Sequence, residues 1–209
     1  MKIQINEGVV AADSILPKFT DLSPERVEPQ KILIADSFTQ VRTALTGTRP
    51  DIINAGQTWL GSSFVGVQDA EGGYAHRASA PFEHINLGQS DGKVFTAIKW
   101  GAAASYAGIL FRYENANNYW RLSLSHSAGV LLERRVGAVT TPMVSTAFAK
   151  TVGQTYLLGV SFVGNQIAAI VEGSPLTVIT DSALADRSGV GLSSGDAAHH
   201  FYQFVAGQA

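Results

Sequence analysis

Cysteine is absent from the 209 residues, which excludes disulfides, thiolate metal sites and cysteine catalysis and makes oxidising and reducing surroundings equally tolerable. Charge is scarce too. Charged residues make up 15% of the chain, well below the roughly one quarter usual in globular proteins. With a formal net charge of -2, no electrostatic footprint for nucleic acid is evident. The basic residues are scattered apart from Arg134 and Arg135, a pair that reads as a solvated strand face rather than a phosphate site. Long apolar runs are also missing: the most apolar segment, AAASYAGILF at 102–111, is too short to cross a bilayer. The leading MKIQINEGVV lacks the apolar stretch of a signal peptide. No membrane insertion and synthesis in the cytoplasm are the expectations.

What is present points to strands. Hydrophobic residues reach 45% and glycines number 21, a composition suited to many short strands joined by tight turns. Residues 1–30 stand apart, with Pro17, Pro24 and Pro29 in a polar stretch and Ser23 before Pro24 allowing at most a turn of helix. They read as an N-terminal arm, and residues 31–209 as the globular body. From Lys31 the pattern is one of strands: KILIA, SFVGVQ, a turn at DAEGG, then YAHRA, FEHINL and KVFTAIKW, the last with Val94, Thr96, Ile98 and Trp100 on one face.

The central segment is the clearest. GILFRYE places Ile109, Phe111 and Tyr113 on one face, and after ENANN the strand NYWRLSLS turns Trp120, Leu122 and Leu124 inward and Tyr119, Arg121, Ser123 and Ser125 outward. Asn115, Asn117 and Asn118 suit the intervening turn. HSAG then leads into VLLERRVG, and TYLLGVSFVGNQIAAIVEG forms a second hairpin about Gly164 and Asn165. VGLSS and HFYQFVAG supply the last strands. A total of about twelve strands without a convincing helix argues for an all-β fold, a two-sheet antiparallel jelly-roll sandwich, and against doubly wound or barrel α/β folds. Trp120 is expected between the sheets, with a partner for its indole N–H.

Asp36-Ser37-Phe38, Trp59, GILFRYENANNYWRLSL, the strand over 131–137, the second hairpin and the closing SGVGLSS to HFYQF, taken in order, resemble the concanavalin A-like and laminin G-like jelly rolls. The likeness covers about residues 31–206. Its most specific part is Gly-x-x-x-Arg-Tyr followed by Asn-Tyr-Trp. That group includes sugar binders, glycan hydrolases, adhesion modules and particle proteins, so the resemblance implies a fold and leaves the activity open.

The residues bear on several chemistries. Retaining glycoside hydrolysis needs two carboxyls about 5 Å apart, whereas Glu83, Glu114, Glu133 and Glu172 are isolated and no alternating acidic strand occurs. The histidines His76, His84, His126, His199 and His200 show no compact metal spacing; His76 and His84 flank a turn that would let them approach, and the adjacent His199 and His200 should face opposite ways. No cofactor is expected, although calcium stays open at Asp69 with Glu71 or Asp181 with Asp186, where loop oxygens gather. A sugar site combines an aromatic platform with directional polar groups, which singles out Asn115, Asn118, Tyr119 and Arg121.

The function these features favour is a non-enzymatic structural or accessory protein of a phage or surface particle, docking through the sandwich and the arm. Its partners would be particle proteins or neighbouring copies held by residues 1–30, and a particle assembled inside the cell would later carry it on a virion surface without an export signal. The first alternative is a carbohydrate-binding receptor-recognition module with a glycan partner. The second is a glycoside hydrolase.

Overall fold

The structure is a computed structural model and describes residues 32–53, 56–61, 64–70, 72–102 and 104–209. The arm expected at residues 1–30 lies outside the described residues, as does Glu71. Sixteen strands are formed among the described residues. In chain order they are β1 (Ile32–Asp36), β2 (Ile52–Ile53), β3 (Leu60–Gly61), β4 (Phe64–Asp69), β5 (Gly72–Arg77), β6 (Phe82–Asn86), β7 (Gly92–Lys99) and β8 (Tyr106–Asn115). They continue as β9 (Asn118–Ser125), β10 (Gly129–Val136), β11 (Val139–Thr146), β12 (Thr155–Val163), β13 (Gln166–Val171), β14 (Ser174–Thr180), β15 (Gly189–Ser194) and β16 (His200–Gly207). The count exceeds the expected twelve because β2 and β3 are too short to show a pattern, and β11 and β14 are half-exposed, with no clean apolar alternation.

These strands make two antiparallel sheets. The nine-stranded sheet runs β14-β13-β12-β7-β16-β1-β2, with β5 joined to β16 and β4 to β5; the seven-stranded sheet runs β11-β10-β9-β8-β15-β6-β3. Each hairpin expected from the pattern is present, β8 with β9 and β12 with β13. The interior follows the two-residue period. Val94 and Ile98 from β7 and Leu158, Val160 and Phe162 from β12 meet Ile109 and Phe111 from β8 and Trp120, Leu122 and Leu124 from β9 in one buried cluster.

The buried carboxylate of Asp36 is fully built into bonds. The Asp36 carboxylate accepts from the Phe38 N–H at 2.9 Å, the Arg42 guanidinium at 2.6 Å and the Trp59 indole N–H at 2.9 Å. Burial raises the Asp36 pKa, against the lowering effect of the Trp59 and Arg42 bonds. Desolvating such a pair is costly, and only these satisfied lone pairs make it tolerable. This ties the end of β1 to Trp59, whose ring packs 5.0 Å from Phe204.

The segment 181–188 closes the other end. Asp181 takes the Arg134 guanidinium of β10 on its carboxylate and the Ala183 N–H on the other oxygen, and Trp120 donates its indole N–H to the Ala183 carbonyl at 3.0 Å. Trp120 is therefore inward and fully covered, with the partner its N–H needs. Trp120→Ala should cost about 3–5 kcal/mol, measured as a lower urea midpoint at unchanged slope; wild-type stability would contradict the packing.

His199 and His200 do face opposite ways. His200 stacks on Tyr74, whereas His199 is fully buried, its ring 4.2 Å from Trp100 and its Nδ1 accepting the Gly101 N–H at 3.1 Å. Burial, reinforced by His200 and opposed by Asp196, lowers the His199 pKa to about 4. An unfolded histidine titrates near 6.5, so between these values the unfolded chain binds the extra proton. Stability should be complete above about pH 6.5 and fall toward pH 4 by as much as about 3 kcal/mol. Urea midpoints taken across that window would show it. His199→Phe should flatten the decline, and an equal decline in that variant would assign it to other groups.

Candidate functional site

The outward face of the seven-stranded sheet owes its character to an irregularity in β8. Gly191 of β15 lies opposite Leu110 and Gly189 opposite Tyr113, so β8 uses Phe111 and Arg112 where β15 uses Val190 alone. Arg112, at φ 47°, is the added residue. Its Nη atoms donate to the Asp181 carbonyl at 3.0 Å and the Gly164 carbonyl at 2.5 Å, and its Cζ lies 5.9 Å from the Phe162 ring. Phe111 and Arg112 thus both point inward and Tyr113 is turned out. This corrects the expectation that Ile109, Phe111 and Tyr113 share one face; a bulge re-aims the side chain that follows it.

Tyr113 joins rings from two other strands. It lies 4.4 Å from His84 and 6.1 Å from Phe82 of β6, and 6.4 Å from Tyr119 of β9, while Phe82 and Tyr119 are 5.1 Å apart. Farther along, the Arg121 guanidinium sits 3.9 Å over the Tyr106 ring and pairs with the Glu133 carboxylate of β10. The strand between them is nearly bare. Gly189 and Gly191 leave no side chains on β15 there, and a Cβ on Gly191 would stand 2.7 Å from the His84 Cα. Phe82, His84, Tyr106, Tyr113, Arg121 and Arg135 are half-buried. Burial lowers the His84 pKa and raises those of Tyr113 and Tyr119, so these groups are held in their uncharged forms at neutral pH. The face can offer ring surfaces, a fixed ion pair and a second guanidinium.

No family model matches the chain, and no curated protein matches its sequence. Solved structures do share its architecture. Carbohydrate binding module CBM66 from Bacillus subtilis aligns at 14% identity and a TM-score of 0.51, over 73% of this chain and 92% of that one. Domain 4 of AbnA, a GH43 extracellular arabinanase from Geobacillus stearothermophilus, in complex with arabinotriose, aligns at 13% identity and 0.55, over 86% and 93%. The GH43 protein BlXynB from Bacillus licheniformis aligns at 13% and 0.57 over 84% of this chain, but only 39% of its own. The fold is a jelly-roll sandwich. At these identities the likeness speaks for the fold.

Within the jelly roll, the four residues singled out from the sequence fall into two groups. Tyr119 and Arg121 lie on the outward face as the alternation requires, yet Tyr119 is only 2% exposed, beneath Phe82 and its neighbours. Asn115 and Asn118 build the β8–β9 turn: Asn115 Oδ1 accepts from the Asn117 N–H and from Asn118 Nδ2, and Asn118 Oδ1 accepts the Gly137 N–H. Their amides brace the end of the face. The sequence pattern does not assemble Phe82, His84, Tyr106 and Tyr113 into one face, because the pairing of β6 and β8 with β15, not local spacing, sets them side by side.

The other candidates are placed as follows. His76 belongs to β5 of the nine-stranded sheet and His84 to β6 of the seven-stranded one, so they do not approach each other as their flanking of a turn suggested. Of the calcium candidates, Asp69 accepts from the Gly72 N–H and the Tyr202 hydroxyl, Asp181 is bonded to Arg134 and Ala183, and Asp186 faces Arg187 at 3.4 Å. Among the described residues, no group of three His, Cys, Asp or Glu gathers for a metal ion. Arg134 turns toward Asp181, and only Arg135 stays on the outward face.

The Arg121–Glu133 pair is the polar anchor of this face, with side chains 11% and 5% exposed. Glu133→Gln should leave Arg121 short of a charged acceptor and cost about 1.5–3 kcal/mol. Chemical denaturation checks it, and an unchanged midpoint would show the pair to be dispensable.

Proposed function

We propose that this chain is a non-catalytic carbohydrate-binding module that takes a glycan across the outward face of the seven-stranded sheet. The observation that carries the reading is the set of half-buried rings of Phe82, His84, Tyr106 and Tyr113 beside the Arg121–Glu133 pair. Sugar rings present apolar C–H faces that cover aromatic surface, while hydroxyls exchange water for fixed donors and acceptors. A preorganised ion pair can serve as both, since Arg121 donates and Glu133 accepts without either reorganising. The jelly-roll neighbours lend support, one being a carbohydrate binding module and another an arabinanase domain in complex with arabinotriose. They favour this reading over particle docking, whose arm lies outside the described residues.

The make-up of the same face supports the reading of binding without hydrolysis. Among the described residues, Glu133 is the one carboxylate at its outward strand positions, and it is held by Arg121. Retaining hydrolysis would need a second carboxyl about 5 Å away.

A broad glycan array with the purified protein tests the reading, followed by titration of Tyr113→Ala and Arg121→Gln. Saturable binding to at least one glycan, weakened about tenfold or more in both variants while the folded far-UV spectrum persists, is expected. No saturable binding across the array would overturn it, and so would binding that survives both changes. Release of reducing ends from mixed polysaccharides would overturn the non-catalytic part.

A further inference from the structure

The charges on the outward face are unbalanced. Arg121 is neutralised by Glu133 and rests on Tyr106. Arg135, directly across the β9–β10 pair from Tyr119, is half-buried, forms no ion pair among the described residues, and has an Nε without a hydrogen-bond partner. Its charge lies close enough to act on the Tyr119 phenol, after burial, Arg121 and Glu133. His84, the other basic group on the face, is held neutral by burial. Two guanidiniums therefore meet one carboxylate on a chain whose formal net charge is -2.

Resting on the carbohydrate-binding reading, we infer that the ligand is an acidic glycan, a polymer carrying uronic-acid carboxylates, and that Arg135 receives one of those carboxylates. A half-buried guanidinium has lost part of its hydration, and its planar fork matches a carboxylate with two parallel N–H···O bonds. A neutral sugar's hydroxyls can accept from the fork but leave its charge unbalanced. A carboxylate restores the bonds and balances the charge, and the half-buried ring of Tyr113, next to the covered Tyr119 that Arg135 faces, offers a surface for the ring that bears the acid.

The test uses the full chain and a panel of polygalacturonate, alginate, hyaluronan and glucuronoxylan, each beside its carboxyl-reduced counterpart, with neutral arabinan and xylan as controls. At least one acidic polymer should bind, with affinity lower by about tenfold or more after carboxyl reduction and a comparable loss in Arg135→Gln at an unchanged unfolding midpoint. Arg135→Lys should fall between, keeping the charge but not the fork. If neutral or carboxyl-reduced glycans bind as tightly as the acids, or Arg135→Gln binds the acid like wild type, the acidic-ligand inference fails and the module reading stands. If nothing on the panel or the array binds, both fail together.

Discussion

Arg112 lies inside the sandwich at φ 47°, a backbone region that costs a non-glycine residue about 1–3 kcal/mol. Its guanidinium is withdrawn from water, and burial lowers its pKa against the opposing charges of Asp91 and Asp181. What holds it there is the pair of carbonyls it reaches, Gly164 in the β12–β13 turn and Asp181 beyond β14. Both belong to segments bordering the nine-stranded sheet, so one side chain from β8 ties the two sheets at this end. The same added residue rotates the chain by one position and sends Tyr113 to the outside. Inter-sheet cohesion and the make-up of the candidate site thus depend on one local distortion.

The closing segment shows how interdependent that end is. Asp181 receives Arg112 on its carbonyl and Arg134 on its carboxylate, and Ala183 receives Trp120. Arg112 and Trp120 would otherwise be buried polar groups without these partners, at a cost of about 1–3 kcal/mol apiece. A loop that supplies these acceptors is part of the core in energetic terms, although its sequence, DSALADRSG, reads as surface. The Asp36 carboxylate does the equivalent work at the other end, for Trp59 and Arg42.

On the outward face the rings pack against each other instead of a second sheet. Leu110 and Tyr119 are covered there yet stand outside the main core cluster, and Tyr119 is packed against the half-buried Phe82 ring of β6. A jelly roll can carry many activities on the same strands. What distinguishes this one is ring surface flanked by guanidiniums, with bare glycine backbone between them.

Local pattern alone was enough for the all-β class, the two clear hairpins, the inward run of Trp120, Leu122 and Leu124, and the outward placement of Tyr119 and Arg121. Each follows from the two-residue period of a strand and from turn residues read over a few positions. Asn115 and Asn118 were legible as turn formers for the same reason, and the structure uses them so. The reversal of Tyr113 was not legible. GILFRYE alternates without interruption, and the insertion at Arg112 is stabilised by carbonyls 52 and 69 residues farther along the chain. Nor could spacing bring His84 to Tyr113 or part it from His76, since those distances are set by which strands pair and in which sheet. Periodicity decides which way a side chain points while the ladder is regular; only long-range hydrogen bonding decides where the ladder breaks and which side chains then meet.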